Sequence, residues 1–318
     1  MLRAQGVVNL RTLEQKISDA GPNPQRVQPH ILTPVKSALV KQGRIVQLEH
    51  SNAQWLHLAE ESPARVEKRL AELRELWAAF IAKQISLRTG QALEVAIFRA
   101  IMAADGVIPL GGFSDLHEHS DEKLYSKQEL HNFNGRTLGK RALDFIVAVS
   151  GDYCGIEAKN IRQWLYPHDQ EIRAAIQKAL TLGVVPVLIA RRIPFVTFRV
   201  LGTCGVIMHE TFNQRMANAD AALAERVRNK DLLGYHDIRV GNAPDTRLTK
   251  FIGMNLPGLI PAARAKLDTY CDLLDAFANG TMSYKEFAAR VRRRQLGQKE
   301  DNDWPDKPDD EDNDPYDD

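Results

Sequence analysis

The sequence is expected to fold as an α/β protein: a mixed sheet flanked by helices, with a small N-terminal module and closing C-terminal helices. Three observations point there. Residues 141–159, RALDFIVAVSGDYCGIEAK, read as two short strands joined by a tight turn at Gly151-Asp152. Amphipathic helical patterns stand on either side, over residues 89–105 and 170–182. A further apolar run, residues 184–190, supplies the next buried strand.

Taken in order, residues 8–20 are expected to form one helix, ended by Gly21-Pro22. Residues 29–41 form a second, on which Ile31, Val35, Leu39 and Val40 share a face and which Gly43 stops. Two β-like runs follow, 44–48 and 54–58. Helix, helix and two-stranded hairpin over residues 1–62 are similar to a winged helix-turn-helix. That resemblance implies a DNA-facing helix presenting Lys36 and Lys41, with Arg26 and Arg44 at its ends. Pro63 opens a connecting helix, residues 63–88, whose Leu70, Leu73, Trp77, Phe80 and Ile81 mark one buried face.

Thr89 is read as the cap of the next helix, with Glu94 beside the apolar stripe Leu93, Ile97 and Ile101. Residues 107–110 are a strand. Residues 111–140 are a polar loop containing Asp115, His117, Glu118, His119 and His131; its His-Glu-His run lies in a loop rather than on a helix face and is read as lining a cleft, not binding metal. Asp169 caps the helix over 170–182 and Gly183 closes it. Pro186 marks the following strand as an edge or irregular one. Residues 195–210 are apolar, their first half fitting helix or strand equally. Helices dominate beyond Arg215, apart from a turn-rich break at 234–245, and close with 256–280 and 283–294. The domains expected are 1–62, the helix 63–88, a catalytic domain 89–240, a helical region 241–298 and a disordered acidic tail 299–318.

The net charge of +1 conceals an uneven distribution: residues 299–318 hold eleven acids and two bases, leaving 30 acids and 40 bases in the body. A basic body suits a polyanion such as nucleic acid. Three widely spaced cysteines with no CxxC pair exclude a zinc ribbon or disulfide framework. With no signal-peptide pattern and no apolar run long enough for a membrane, a cytoplasmic protein is expected.

The chemistry concentrates in the strand pair. Side chains alternate along a strand, so Leu143, Phe145, Val147 and Val149 face one way and Asp144 the other. Likewise Cys154, Ile156 and Ala158 oppose Glu157 and Lys159. With an even-numbered loop, Asp144 faces Glu157 or Lys159 across the ladder. Carboxylates converging there call for a cation, and hard Mg²⁺ takes one or two carboxylates with water and phosphate oxygens. Asp144, Glu157 and the Ala158 carbonyl supply such a set, and Lys159 is placed to assist a water or neutralise phosphate charge.

Asp144 followed by Glu157-Ala158-Lys159 resembles the signature of the PD-(D/E)xK phosphodiesterases of restriction-endonuclease-like fold. Glu94 matches the helical Glu that the family often adds, and Leu143 stands where Pro is common. The resemblance covers roughly residues 89–210. It implies a Mg²⁺-dependent DNA endonuclease, with Mn²⁺ as substitute, whose Glu94, Asp144, Glu157 and Ala158 hold the metal and whose Lys159 aids hydrolysis. It also implies an inward polar residue near Gln170 and a bacterial restriction, defence or mobile-element setting with possible partner proteins. Arg141, leading into the Asp144 strand, and Asn160 and Arg162, close to the metal end, are candidate substrate contacts, and a duplex cut at two active sites calls for a homodimer. RNA or branched DNA as substrate, a winged-helix DNA-binding regulator and a nuclease subunit activated by a partner are the alternatives.

Overall fold

The computed structural model describes residues 1–20, 29–116 and 122–299. Gly21-Pro22, Arg26, the His117-Glu118-His119 run and the acidic tail from Glu300 lie outside them. The chain divides into two compact units. One comprises Met1–Arg88 with Met216–Val240; the other comprises Thr89–Arg215 and the chain from Gly241. Residues 216–240 thus fall outside the 89–240 domain expected from the sequence, and residues 63–88, expected as one helix, belong to the first unit but break after Phe80, with Ile81 exposed rather than buried.

The first unit begins with α1 (Leu2–Gln5), β1 (Val7–Asn9), α2 (Leu10–Ala20), α3 (Pro29–Lys41), β2 (Ile45–His50), β3 (Ala53–Leu58) and α4 (Pro63–Phe80). The three strands form an antiparallel sheet in the order β1-β3-β2. The single helix expected over 8–20 is instead strand then helix: Val8 and Asn9 pair with Leu56 and Trp55. Ser51 and Asn52 both take positive φ, which lets a two-residue turn join β2 to β3. On α3, Ile31 and Val40 point to solvent, whereas Val35 and Leu39 of the expected face, with Leu32 and Lys36, line an apolar cavity of about 250 Å³ together with Leu10, Leu13 and Leu56, so the face is rotated only in part. Helix α4 starts as Ser62-Pro63 dictates: the Ser62 hydroxyl accepts the Arg65 amide at 3.2 Å and Pro63 occupies the first turn. Its buried Val66, Leu70, Leu73, Trp77 and Phe80 meet Trp55, Met216, Val227 and Tyr235. Side-chain hydrogen bonds help to tie the later segment in. Thr12 donates to the Leu233 carbonyl, Gln15 to Asp237, and Tyr235 to Asn9.

Helix α5 (Lys83–Met102) opens the second unit from Thr89 onward, so Thr89 is a buried interior residue of that helix and not its cap. Gln84, Ile85, Leu87 and Arg88 are good helix formers, and they extend the helix upstream. There follow β4 (Val107–Leu110), the two-residue strands β5 (Gly112–Phe113), β6 (Lys127–Gln128), β7 (Asn132–Phe133) and β8 (Arg136–Thr137), then β9 (Phe145–Val149), β10 (Asp152–Lys159), α6 (Gln170–Leu182), β11 (Val185–Ala190), α7 (Phe195–Thr203) and β12 (Ile207–Glu210). The five-stranded sheet has the order β12-β11-β10-β9-β4 and is mixed: β10, β11 and β12 are parallel, and β9 is antiparallel to both β10 and β4.

The β9–β10 turn is Ser150-Gly151, one residue earlier than expected, with both residues at positive φ and Asp152 opposite Val149. Strand β11 is internal, so of the two readings that Pro186 suggests, edge or irregular, the edge does not hold. The ladder with β12 starts only at Val187, so the missing proline N–H costs no bond on that side. Both sheet faces are covered. Phe145, Val147, Cys154, Ile156 and Val187 pack under α5, against Leu93, Ile97 and Ile101; Ile146 on the other face meets Ala179 and Leu182 of α6. Gly155 fits that second face because a Cβ there would lie 2.5 Å from Leu143 and 2.8 Å from Val184.

The chain ends with β13 (Gln214–Met216), α8 (Ala221–Arg228), β14 (Ile238–Val240), α9 (Thr246–Lys250), a π-helical stretch Phe251–Asn255, α10 (Leu256–Ala278) and α11 (Tyr284–Gln295). Phe251, Ile252, Leu256 and Ile260 cover the α5-side core, and Leu267 to Phe277 form a further core with α6 and α11. No helix among the described residues is long and apolar enough to cross a membrane.

Candidate functional site

Extending the β9–β10 register by one pair sets Asp144 opposite Glu157, because Phe145 stands opposite Ile156. Asp144 lies just before its strand and lays its carboxylate across the ladder, where Oδ2 accepts the Ala158 amide at 2.8 Å. It is therefore the Ala158 N–H, rather than the carbonyl expected to serve as a ligand, that touches this carboxylate. The other oxygen, Oδ1, accepts Lys127 Nζ at 2.7 Å, and the same ammonium donates to Glu94 Oε2 at 2.6 Å. Glu94 comes from α5, Lys127 from β6 and Asp144 from the start of β9, so three distant segments meet at one cationic point.

Glu157, almost fully buried, sits beside this pair and takes two lysines of its own: Lys159 on Oε1 at 2.9 Å and Lys178 of α6 on Oε2 at 2.5 Å. Lys178 also donates to the Ala142 carbonyl at 2.9 Å. The sequence-predicted Glu94, Asp144, Glu157 and Lys159 are thus brought together. Lys127 and Lys178 were missed. The signal for Lys178 was its place on the sheet-facing side of α6, among Ile172, Ala175, Ile176 and Ala179. Gln170, expected to point inward, is exposed.

Electrostatics follow from crowding in a half-dry corner. Burial pushes the Glu94 carboxyl above its usual value, the charges of Asp144 and Glu157 add to this, and Lys127 opposes it. Burial would pull both Lys127 and Lys159 down. For Lys127 the Asp144 and Glu94 carboxylates outweigh it; for Lys159 Glu157 does so, helped by Asp144 and Glu171. Both amines are held as ammonium ions.

Among the described residues no set of three or more His, Cys, Asp or Glu side chains is arranged to hold a metal ion. What the structure offers is a pair: Glu94 and Asp144 already share one cation through one oxygen each. That donor set fits a hard divalent ion, which takes one or two carboxylates and fills its remaining positions with water and phosphate oxygen. Glu157, its oxygens engaged by two lysines, stands beside the pair.

Lys127 is held firmly where it meets them. The Gln91 side chain clamps the neighbouring backbone, donating to the Tyr125 carbonyl at 2.8 Å and accepting its amide at 2.6 Å. Asp115 accepts the Ser126 amide, and β6 pairs Lys127 with Phe113 of β5. Gly112 permits that strand to press on α5, since a Cβ there would lie 2.1 Å from the Phe98 ring and φ is +143°.

The residues expected to bind nucleic acid fare unevenly. Asn160 and Arg162 are buried. Asn160 ties strand ends together, donating to the Thr89 and Arg215 carbonyls and accepting the Arg215 amide at 3.0 Å, while the Arg162 carbonyl accepts Arg191. The chain leaving β10 turns inward and buries both side chains. Arg141 is exposed and bonded to Gln177. Lys41 and Arg44 are exposed, whereas Lys36 is half-buried and donates to Gln54 of β3 at 3.2 Å.

No family model, no curated protein and no solved structure matches this chain.

Proposed function

We propose that the chain is a Mg²⁺-dependent endonuclease of the PD-(D/E)xK kind, acting on duplex DNA. The observation that carries this reading is the meeting of Glu94 and Asp144 on a single cationic point, with Glu157 and Lys159 directly beside it. The order helix, three antiparallel strands, helix, parallel strand from α5 to β11 supports a restriction-endonuclease-like fold.

Glu94 and Asp144 would hold the ion, which when bound supplies an activated water and charge neutralisation at the phosphate. The Ala158 amide orients Asp144 for this. Lys178 fixes Glu157, and Glu157 in turn aims Lys159. As an ammonium ion, Lys159 serves the phosphate's developing charge and is ill suited to take a proton. In the first unit, the order helix, strand, helix, helix, strand, strand supports a winged-helix reading, with Lys41 and Arg44 available to a DNA backbone. A homodimer would supply the two sites that a duplex cut needs.

Supercoiled plasmid incubated with Mg²⁺, Mn²⁺ or chelator tests this, beside a gel shift. Cutting only with metal, and DNA binding that survives chelation, is the expected result. Binding without cutting under every metal would hand the chain to the regulator or partner-activated reading.

A further inference from the structure

We infer that Lys127 is the resident cation of the Glu94–Asp144 pair and that a divalent ion enters the site by displacing its ammonium group. This rests on the nuclease reading and adds a gate to it. Lys127 Nζ lies 2.6 Å from Glu94 and 2.7 Å from Asp144, so it stands where an ion shared by those oxygens must stand. An ammonium and a divalent cation cannot share one point, and at contact distance their repulsion is steep.

The charge count agrees. Within the ion-paired cluster the three carboxylates Glu94, Asp144 and Glu157 face three ammonium groups, Lys127, Lys159 and Lys178, with Glu171 the next carboxylate near Lys159. Adding two positive charges without losing one would leave a partly buried excess. Of the three amines Lys127 is the one to leave, because Lys159 and Lys178 both bind Glu157 and not the shared point. Its four-carbon stem can swing while the Gln91 clamp keeps the β6 backbone in place. The Phe145 ring, with its centroid 5.0 Å from Nζ, completes the seat the ammonium occupies.

The test pairs two readouts that do not involve cleavage. Calorimetric Mn²⁺ titrations compare wild type, Lys127→Met and Asp144→Asn. Acylation of lysines in wild type is followed by mass spectrometry with and without Mn²⁺, taking exposed Lys68 as internal reference. Lys127→Met should bind Mn²⁺ at least tenfold more tightly than wild type, Asp144→Asn should lose binding, and Mn²⁺ should raise Lys127 labelling severalfold relative to Lys68. Wild-type binding with unchanged Lys127 labelling, or with no tightening in the variant, overturns the displacement idea and leaves the nuclease reading standing. Mn²⁺ bound by neither protein overturns both. Should Lys127→Met fail to fold, the wild-type labelling decides alone.

Discussion

Asp144→Ala is expected to lower DNA cleavage about a thousandfold or more, the scale on which loss of a metal-based contribution of several kcal/mol appears in a rate. The side chain has two duties. One oxygen shares a cation with Glu94 and the other accepts the Ala158 amide. Alanine removes both, and the orphaned amide would cost about 1–3 kcal/mol of stability. Asp144→Asn separates the duties, since its carbonyl still serves Ala158 while its charge is gone. Plasmid nicking rates together with thermal melts of the two variants check this. Both should be inactive, and Asn should melt closer to wild type. An active Asp144→Asn protein would mean that the carboxylate charge is not what the reaction uses.

The second large effect concerns acid. His209 on β12 stacks on Phe251 at 4.2 Å, and its buried Nε2 has no hydrogen-bond partner among the described residues. Burial, with Arg247 adding like charge, pulls its pKa from 6.5 down to about 4. The folded protein therefore refuses a proton that the unfolded chain accepts. Stability from this group is complete above pH 6.5 and drains away as pH falls toward 4. The full loss is about 3 kcal/mol, at 1.36 kcal/mol per pKa unit. Urea unfolding at pH 7 and pH 4.5 should show it, and His209→Phe, which keeps the stack on Phe251, should flatten the difference. An equally steep loss in the variant would place the acid sensitivity elsewhere.

Much of the second unit was legible because its signals are local. The alternation along residues 145–149 and 154–159 and a two-residue turn put Asp144 opposite Glu157 or Lys159, and the register selects Glu157; Leu143 departs from the pattern, packing with Ile146 on the α6 face rather than with Phe145. Helix α6 starts and stops at Asp169 and Gly183 as expected, Gly183 adopting the left-handed conformation that ends a helix, although the Asp169 carboxylate accepts the Tyr166 amide rather than capping the helix. Small errors had local causes too. Gly151-Asp152 fits a tight turn by composition, but Ser150 takes the positive φ in place of Asp152, and Thr89 fits an N-cap by residue type although residues 83–88 already continue the helix upstream.

The larger omissions were non-local. Lys127 lies in a polar stretch without periodicity, and nothing around it in sequence points to Glu94 or Asp144. Its role comes from the β5–β6 pairing and the Gln91 clamp. Lys178 is one lysine on an amphipathic helix until Glu157 is placed beneath it. The return of residues 216–240 to the first unit depends on Thr12, Gln15 and Asn9 meeting partners more than two hundred residues away. Asn160 and Arg162 were judged by closeness in sequence to Lys159, whereas the chain turns them into the interior.

The most direct measurement is an anomalous difference map from crystals soaked in Mn²⁺. A peak in contact with both the Glu94 and the Asp144 carboxylates is the expected result. A map with no peak at that pair, from crystals in which Mn²⁺ is bound elsewhere or not at all, would contradict the assignment of this cluster as a metal-dependent nuclease centre.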